Sequence, residues 1–237
     1  MTLRDWVRLP SKWIDERGLK QLRWGRKETP GADNTSALMI LAVIAHHAVD
    51  ESGLAKLTYD QLSEITGLSR AKVAGGLDVL EKIKVISRAP EGRSTFQLVG
   101  YDPKAGWCKL PAKKLYASGR IVAFDDFKLR SAAELHALKL YFLFAARRGR
   151  DTNMAHIGYD KISEYSGIEG NRIKPGLSFL ASIGLVHVEH LASRNHERGV
   201  ANAYRLAHLD SYVHMGTRGR GLDEQDFEAT RNLGDAL

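Results

Sequence analysis

Cysteine occurs once in these 237 residues, at Cys108, so no internal disulfide framework and no multi-thiolate zinc site can form within one chain. Residues 1–30 interleave charges with single apolar side chains, and no apolar stretch there suits a secretory signal. The longest apolar run, Ala37 to Ala45, is too short to span a bilayer. No GxxxxGK[ST] phosphate loop, no GxGxxG after a strand, no HExxH and no GxSxG is found. His187-Val188-Glu189-His190 has the residue types of a metal or acid–base site, yet on a strand His187 and Glu189 share one face while His190 points to the other. These absences predict a soluble cytoplasmic protein in a reducing compartment, with no catalytic activity, cofactor, metal or membrane.

What is present is a repeat. Tyr59 to Ile86 and Tyr159 to Val186 align without a gap at an offset of 100, with identities that include Tyr59/Tyr159, Asp60/Asp160, Glu64/Glu164, Gly67/Gly167, Gly76/Gly176, Leu77/Leu177 and Leu80/Leu180. Trp6-Val-Arg8-Leu9-Pro10 returns as Trp107-Cys-Lys109-Leu110-Pro111, and Phe96-Gln-Leu98 as Tyr204-Arg-Leu206. Apolar positions and turn glycines dominate the matches, which is the mark of one structural unit used twice. The expected domains are residues 1–102 and 103–214, each a basic leading segment plus a helical module, with a flexible tail over 215–237.

Charge is unevenly spread. The chain carries 35 Lys+Arg against 28 Asp+Glu, a net +7, and residues 1–27 alone hold +5 while residues 103–150 hold +8. The parts that follow them, 33–102 and 151–214, come to −2 and −1. Clustered positive charge suits a polyanionic partner.

Within each unit the pattern is helix, glycine turn, helix, hairpin. Asn34 is an N-cap candidate for a helix that is apolar on nearly every side through Ala45. Thr58-Tyr-Asp-Gln61 has capping-box spacing, Gly67 can end the short helix it opens, and Ser69 caps a third helix with Val73, Leu77, Leu80 and Ile83 on one face. Val85 to Arg88 and Thr95 to Val99, separated by Pro90 and Gly92, form a hairpin. In the second unit Ser131 to Glu134 is a capping box, and Leu185 to Leu191 pairs with Ala203 to Leu206. The predicted fold class is mainly α with small β-hairpin wings, as two tandem winged-helix domains from an internal duplication. The run Leu62-Ser-Glu-Ile-Thr-Gly67-Leu-Ser69 with Val73, Leu77, Leu80 and Ile86 resembles the winged helix-turn-helix of bacterial DNA-binding proteins. Its tandem occurrence resembles the two-winged-helix initiators of plasmid replication.

In a helix-turn-helix the first turns of the third helix reach base edges, while other elements hold phosphates. The candidates for DNA contact are therefore Ser69, Arg70 and Lys72 in the first unit and Asn171, Arg172 and Lys174 in the second. Arg pairs bidentately with guanine and Asn with adenine, so Asn171 and Arg172 are the sharper pair. Wing residues Arg88, Arg93, Arg194 and Arg198, and the leading-segment residues Lys113 and Lys114, are candidates for phosphate contact. Pro175, after Lys174, implies either a late helix start or a distorted first turn. Close helix packing or a local bend would each explain Gly76 and Gly176. Trp6 and Trp107 read better as packing of each leading segment on its own unit than as base-stacking platforms.

The expected partner is double-stranded DNA, with the acidic segment around Leu222 to Phe227 open to a protein partner, and monomer and homodimer both allowed. The lack of a ligand-sensing domain and of a long dimerisation helix favours replication initiation or maintenance of a plasmid or mobile element, with transcriptional regulation as the alternative. A winged-helix scaffold for proteins is the reading from another class, supported by the nearly neutral helical parts. Unlike units joined in tandem suggest an asymmetric or direct-repeat DNA site.

Overall fold

A computed structural model describes residues 3–25, 30–88, 92, 94–150, 152–192 and 200–209. Strand β1 (Trp6–Pro10), the single turn α1 (Lys12–Asp15) and a 3-10 turn at Gly18–Gln21 open the chain. Helix α2 (Gly31–His47), strand β2 (Leu54–Lys56), helices α3 (Tyr59–Thr66) and α4 (Arg70–Lys82), and strands β3 (Ile86–Arg88) and β4 (Thr95–Leu98) follow. A second leading stretch holds β5 (Trp107–Pro111), a 3-10 turn at Lys113–Leu115, β6 (Tyr116–Ala117), β7 (Arg120–Ile121) and a 3-10 turn at Val122–Asp126. Then come α5 (Ala132–Arg147), β8 (Met154–His156), α6 (Tyr159–Ser166), α7 (Gly170–Ser182), β9 (Val186–Ala192) and β10 (Val200–Leu206). Helices take about half of the described residues, and all sheets are small and antiparallel.

Local chemistry accounts for most element ends. Thr58 and Gln61 form a reciprocal capping box on α3, with Gln61 N–H donating to Thr58 Oγ1 at 3.2 Å and Thr58 N–H to Gln61 Oε1 at 2.8 Å. Gly67 and Gly167 end α3 and α6 in the left-handed region, at φ 72° and 68°, where a side chain would be strained. Helix α2 starts before Asn34, after Pro30, and Asn34 is not its cap. Asn34 is buried one turn inside, and its amide donates to the Arg23 carbonyl at 2.7 Å. Ser131 does cap α5, accepting from Glu134 N–H, while the Glu134 carboxylate turns back to Leu129 and Arg130 N–H.

Each hairpin gains a third strand that the sequence pattern did not reveal. Sheet order is β2-β4-β3 in the first half and β8-β10-β9 in the second, with Ala55 opposite Phe96 and Ala155 opposite Tyr204. Three residues such as Leu54-Ala55-Lys56 are too few to show alternation, and only pairing with the central strand defines them. Tyr204 stacks on Phe144 with centroids 4.2 Å apart, and both are fully buried, as is Phe96. Burial of side chains of this size contributes about 1.5–3 kcal/mol each.

Gly76 and Gly176 mark close helix packing. A Cβ at Gly76 would lie 2.6 Å from Ile40 Cδ1 and 2.9 Å from Ala37 N on α2, and one at Gly176 would lie 3.1 Å from Leu140 Cδ1 and 3.3 Å from Ala137 N on α5. Helix α7 does not start late. It runs from Gly170 through Pro175, and the Arg172 N–H donates to the Glu169 carbonyl at 2.8 Å, a tight first turn. The N–H that Pro175 lacks would have served the Asn171 carbonyl, which lies on an exposed turn where water can replace it.

The leading segments join the halves. Strands β1 and β5 pair antiparallel, with Arg8 opposite Lys109, Trp6 opposite Pro111 and Pro10 opposite Trp107. Trp6 and Trp107 stack on each other across the ribbon, centroids 5.9 Å apart, while β1 also packs on α2 and β5 on α5, each on its own half as expected. Arg8 lies over both rings and Lys109 over Trp6. Helix α2 packs against α5 beneath this ribbon. Further along, each leading segment crosses to the opposite half: the Gly18–Gln21 turn packs on α6, and β7 packs on α3. One contiguous hydrophobic core includes Leu9, Ile40 and Leu77 as well as Leu110, Phe142 and Leu180.

Candidate functional site

The α3–α4 and α6–α7 corners place side chains at matching positions in unlike electrostatic settings. In the first, Ser69 caps α4 through a bond from Lys72 N–H. Arg70 Nε donates to Asp60 Oδ1 at 2.8 Å, and Lys72 Nζ meets Asp33 Oδ1, on the largely buried face of α2, at 2.8 Å. Arg88 is folded back onto α4, 3.0 Å from Asp78 and 3.1 Å from Glu81. Every candidate cation described in this half has an acidic partner within the chain.

The second corner keeps its charge. Asn171, Arg172 and Lys174 are all exposed on the first turns of α7. Glu169, 3.1 Å from Arg172 and itself exposed, is the sole acid beside them on that helix or its cap. The outer face continues through Pro175, Ser178, Ala181 and Ser182 with no carboxylate. An exposed pair such as Arg172 with Glu169 contributes little and can be exchanged for another anion at small cost. Beneath α7, burial holds His136 down at about 4, with Lys139 and Arg172 adding to the effect, so its imidazole is neutral above that pH.

The crossing leading segments add basic residues that the sequence pattern did not single out. A cleft of about 370 Å³ is shared by Gly67, Ser69 and Lys72 of the first corner and by Arg120, Phe127 and Lys128 of the second leading segment. Arg120 is tied to Asp125 at 2.6 Å and Lys128 to the Asp125 carbonyl at 2.6 Å. At the other corner the Lys20 side chain lies against Gly167. Arg17 pairs with Glu164, and hydrogen bonds from Arg17 and then Lys161 hold that carboxyl down at about 2. The signal for these residues was the positive charge of the leading segments; the crossing itself had no trace in residue spacing.

Lys113 and Lys114 are exposed in the 3-10 turn that follows β5, and Lys113 N–H donates to the Arg4 carbonyl at 3.0 Å. Arg93, Arg194 and Arg198 lie outside the described residues. Glu189 is engaged by Arg205, which fixes one member of the His187-to-His190 group in the sheet. Among the described residues no group of three or more His, Cys, Asp or Glu side chains is placed to hold a metal ion, and no helix is long and apolar enough to cross a membrane.

No protein-family model matches the chain, and no curated protein matches it either.

Proposed function

We propose that this chain is a double-stranded DNA-binding protein made of two winged helix-turn-helix modules derived from one duplicated unit, acting in the cytoplasm. The observation that carries this reading is α7: a third helix after a left-handed glycine turn, with Asn171, Arg172 and Lys174 exposed and a carboxylate-free outer face. An α-helix fits the major groove, and these residue types pair with base edges and phosphates. The basic leading segments support it by placing Arg120 and Lys128 beside the α4 corner and Lys20 beside the α6–α7 corner. Within DNA binding, initiation of replication or maintenance of a mobile element is the process we favour, with transcriptional control as its alternative.

Fluorescence anisotropy with random-sequence duplex and single strand across a salt series tests the reading. Duplex binding should weaken steeply with salt, as counterion release requires, and Lys174→Ala should flatten the slope of log K against log salt by about 1. Failure to bind duplex at low salt would refute it. The neutralised α4 face favours a second reading, in which the first module docks a protein while the second holds DNA. Under that reading, Arg70→Ala leaves duplex affinity unchanged.

A further inference from the structure

The contacts that join the halves are reciprocal. In the β1–β5 ribbon Arg8 faces Lys109, its counterpart in the repeat, while Trp6 faces Pro111 as Trp107 faces Pro10, and Val7 faces Leu110 as Cys108 faces Leu9. Helix α2 packs on its counterpart α5, and the Gly18–Gln21 turn reaches α6 as β7 reaches α3. Contacts of the form i with j and j with i define an isologous interface, built around a two-fold axis. That axis passes through the Arg8–Lys109 pair. Each third helix is fixed to its own first helix through Gly76 or Gly176, so the operation that relates α2 to α5 also relates α4 to α7.

We infer that the duplex recognised by this chain carries two half-sites in inverted orientation, about one helical turn apart, with base identity demanded under α7 and tolerated under α4. This rests on the DNA-binding reading above. Two-fold-related reading helices impose two-fold-related half-sites, against the direct repeat that two unlike tandem units suggest. The inequality follows from charge. Lys72 and Arg88 each face a carboxylate of their own half, whereas Asn171 and Lys174 make no ion pair or side-chain hydrogen bond among the described residues; Arg70 and Arg172 are alike, each in an exposed pair, with Asp60 and Glu169. The site is thus a lopsided palindrome: one half defined base by base, the other held by phosphate contacts.

The test is selection of the full chain against a random duplex library, followed by affinity measurement on the enriched sequence and on a version with the weaker half-site turned to a direct repeat. Enrichment of an inverted pair, one half much richer in fixed bases, is expected. The direct-repeat version should bind about tenfold more weakly, and Asn171→Ala should erase the stronger half while Lys72→Ala leaves both. Enrichment of a direct repeat, of a single isolated half or of two equally defined halves would overturn the inference while leaving DNA binding intact. Absence of any duplex binding at low salt would overturn both together.

Discussion

Replacing Lys139 by methionine should stabilise the protein at neutral pH and lose that advantage in alkali. Lys139 is 2 % exposed, within α5, and its ammonium donates one hydrogen bond, to the Leu22 carbonyl of the first leading segment at 2.9 Å. Burial, with a smaller contribution from Arg23, brings its pKa down from 10.5 to about 7. The unfolded chain keeps this proton up to about pH 10.5 and the folded chain only to about pH 7, so unfolding takes up a proton between those values. Stability therefore falls as pH drops through this window and levels off below it. At about 1.4 kcal/mol for each pH unit in which the two states differ by one proton, the loss between pH 10 and pH 7 is about 3–4 kcal/mol. Met39 occupies the corresponding place in α2, fully buried, so the side chain fits this kind of site.

Lys139→Met removes the proton and also leaves the Leu22 carbonyl without its donor, a cost of about 1–3 kcal/mol that does not depend on pH. The variant should thus exceed the parent by about 1–3 kcal/mol at pH 7 and match or fall below it at pH 10. Urea denaturation of both proteins at half-unit steps from pH 6.5 to 10.5 gives the difference directly, because other titrations cancel. A difference that stays constant across that range would show that Lys139 keeps its charge at ordinary cost and would refute the reasoning.

Gly76→Ala should destabilise by about 1–3 kcal/mol, since its Cβ meets the α2 backbone at 2.9 Å, and Gly176→Ala should cost less because its nearest contacts are at 3.1 Å; urea midpoints rank the two. Lys84 is held left-handed at φ 57° where the second half has Gly184 at φ 69°, so Lys84→Gly should raise stability by about 0.5–1 kcal/mol in the same assay. A destabilised Lys84→Gly would mean that the Lys84 side chain does more than occupy a turn. Cys108 is buried in the ribbon and its thiol is pushed up to about 12 by burial, so it should resist a disulfide reagent in the native protein and react fully in urea. Rapid labelling of the native chain would contradict the burial of β5.

Those elements were legible in the sequence whose specification is local. The capping box at Thr58 and Gln61, the Ser69 cap and the Gly67 and Gly167 ends depend on neighbouring residues and side-chain types, and all were readable in advance. Helix α2 was legible because it is apolar on nearly every side, and α5 from the Ser131–Glu134 capping box that opens it. Asn34 misled because a short amide next to a helix start is a cap by type, whereas here a distant carbonyl, that of Arg23, claims it inside the helix. Strands β2 and β8 were hidden by their length, and the Trp6–Trp107 stack by its span of about a hundred residues. At the candidate site, residue positions were legible but charge state was not. Lys72 looks like Lys174 in sequence, and only tertiary structure brings Asp33 to the first and, among the described residues, no acid to the second.

That last difference bears on what joining two units in one chain permits. In a dimer of identical chains any change in one reading helix appears in both, so its two half-sites must evolve together. Here the reciprocal framework is shared: Arg8 with Lys109, α2 with α5, glycine at 76 and 176. The outward residues are free to differ, and they do, with Lys72 and Arg88 paired to carboxylates on one side and Asn171 and Lys174 presented on the other. The crossing segments keep that divergence from loosening the assembly, because Arg17, Lys20 and the Leu22 carbonyl brace the second half while Arg120 braces the first. On the DNA-binding reading proposed above, a symmetric frame with unequal faces would suit a site that fixes not only where the protein sits on a duplex but which way it points.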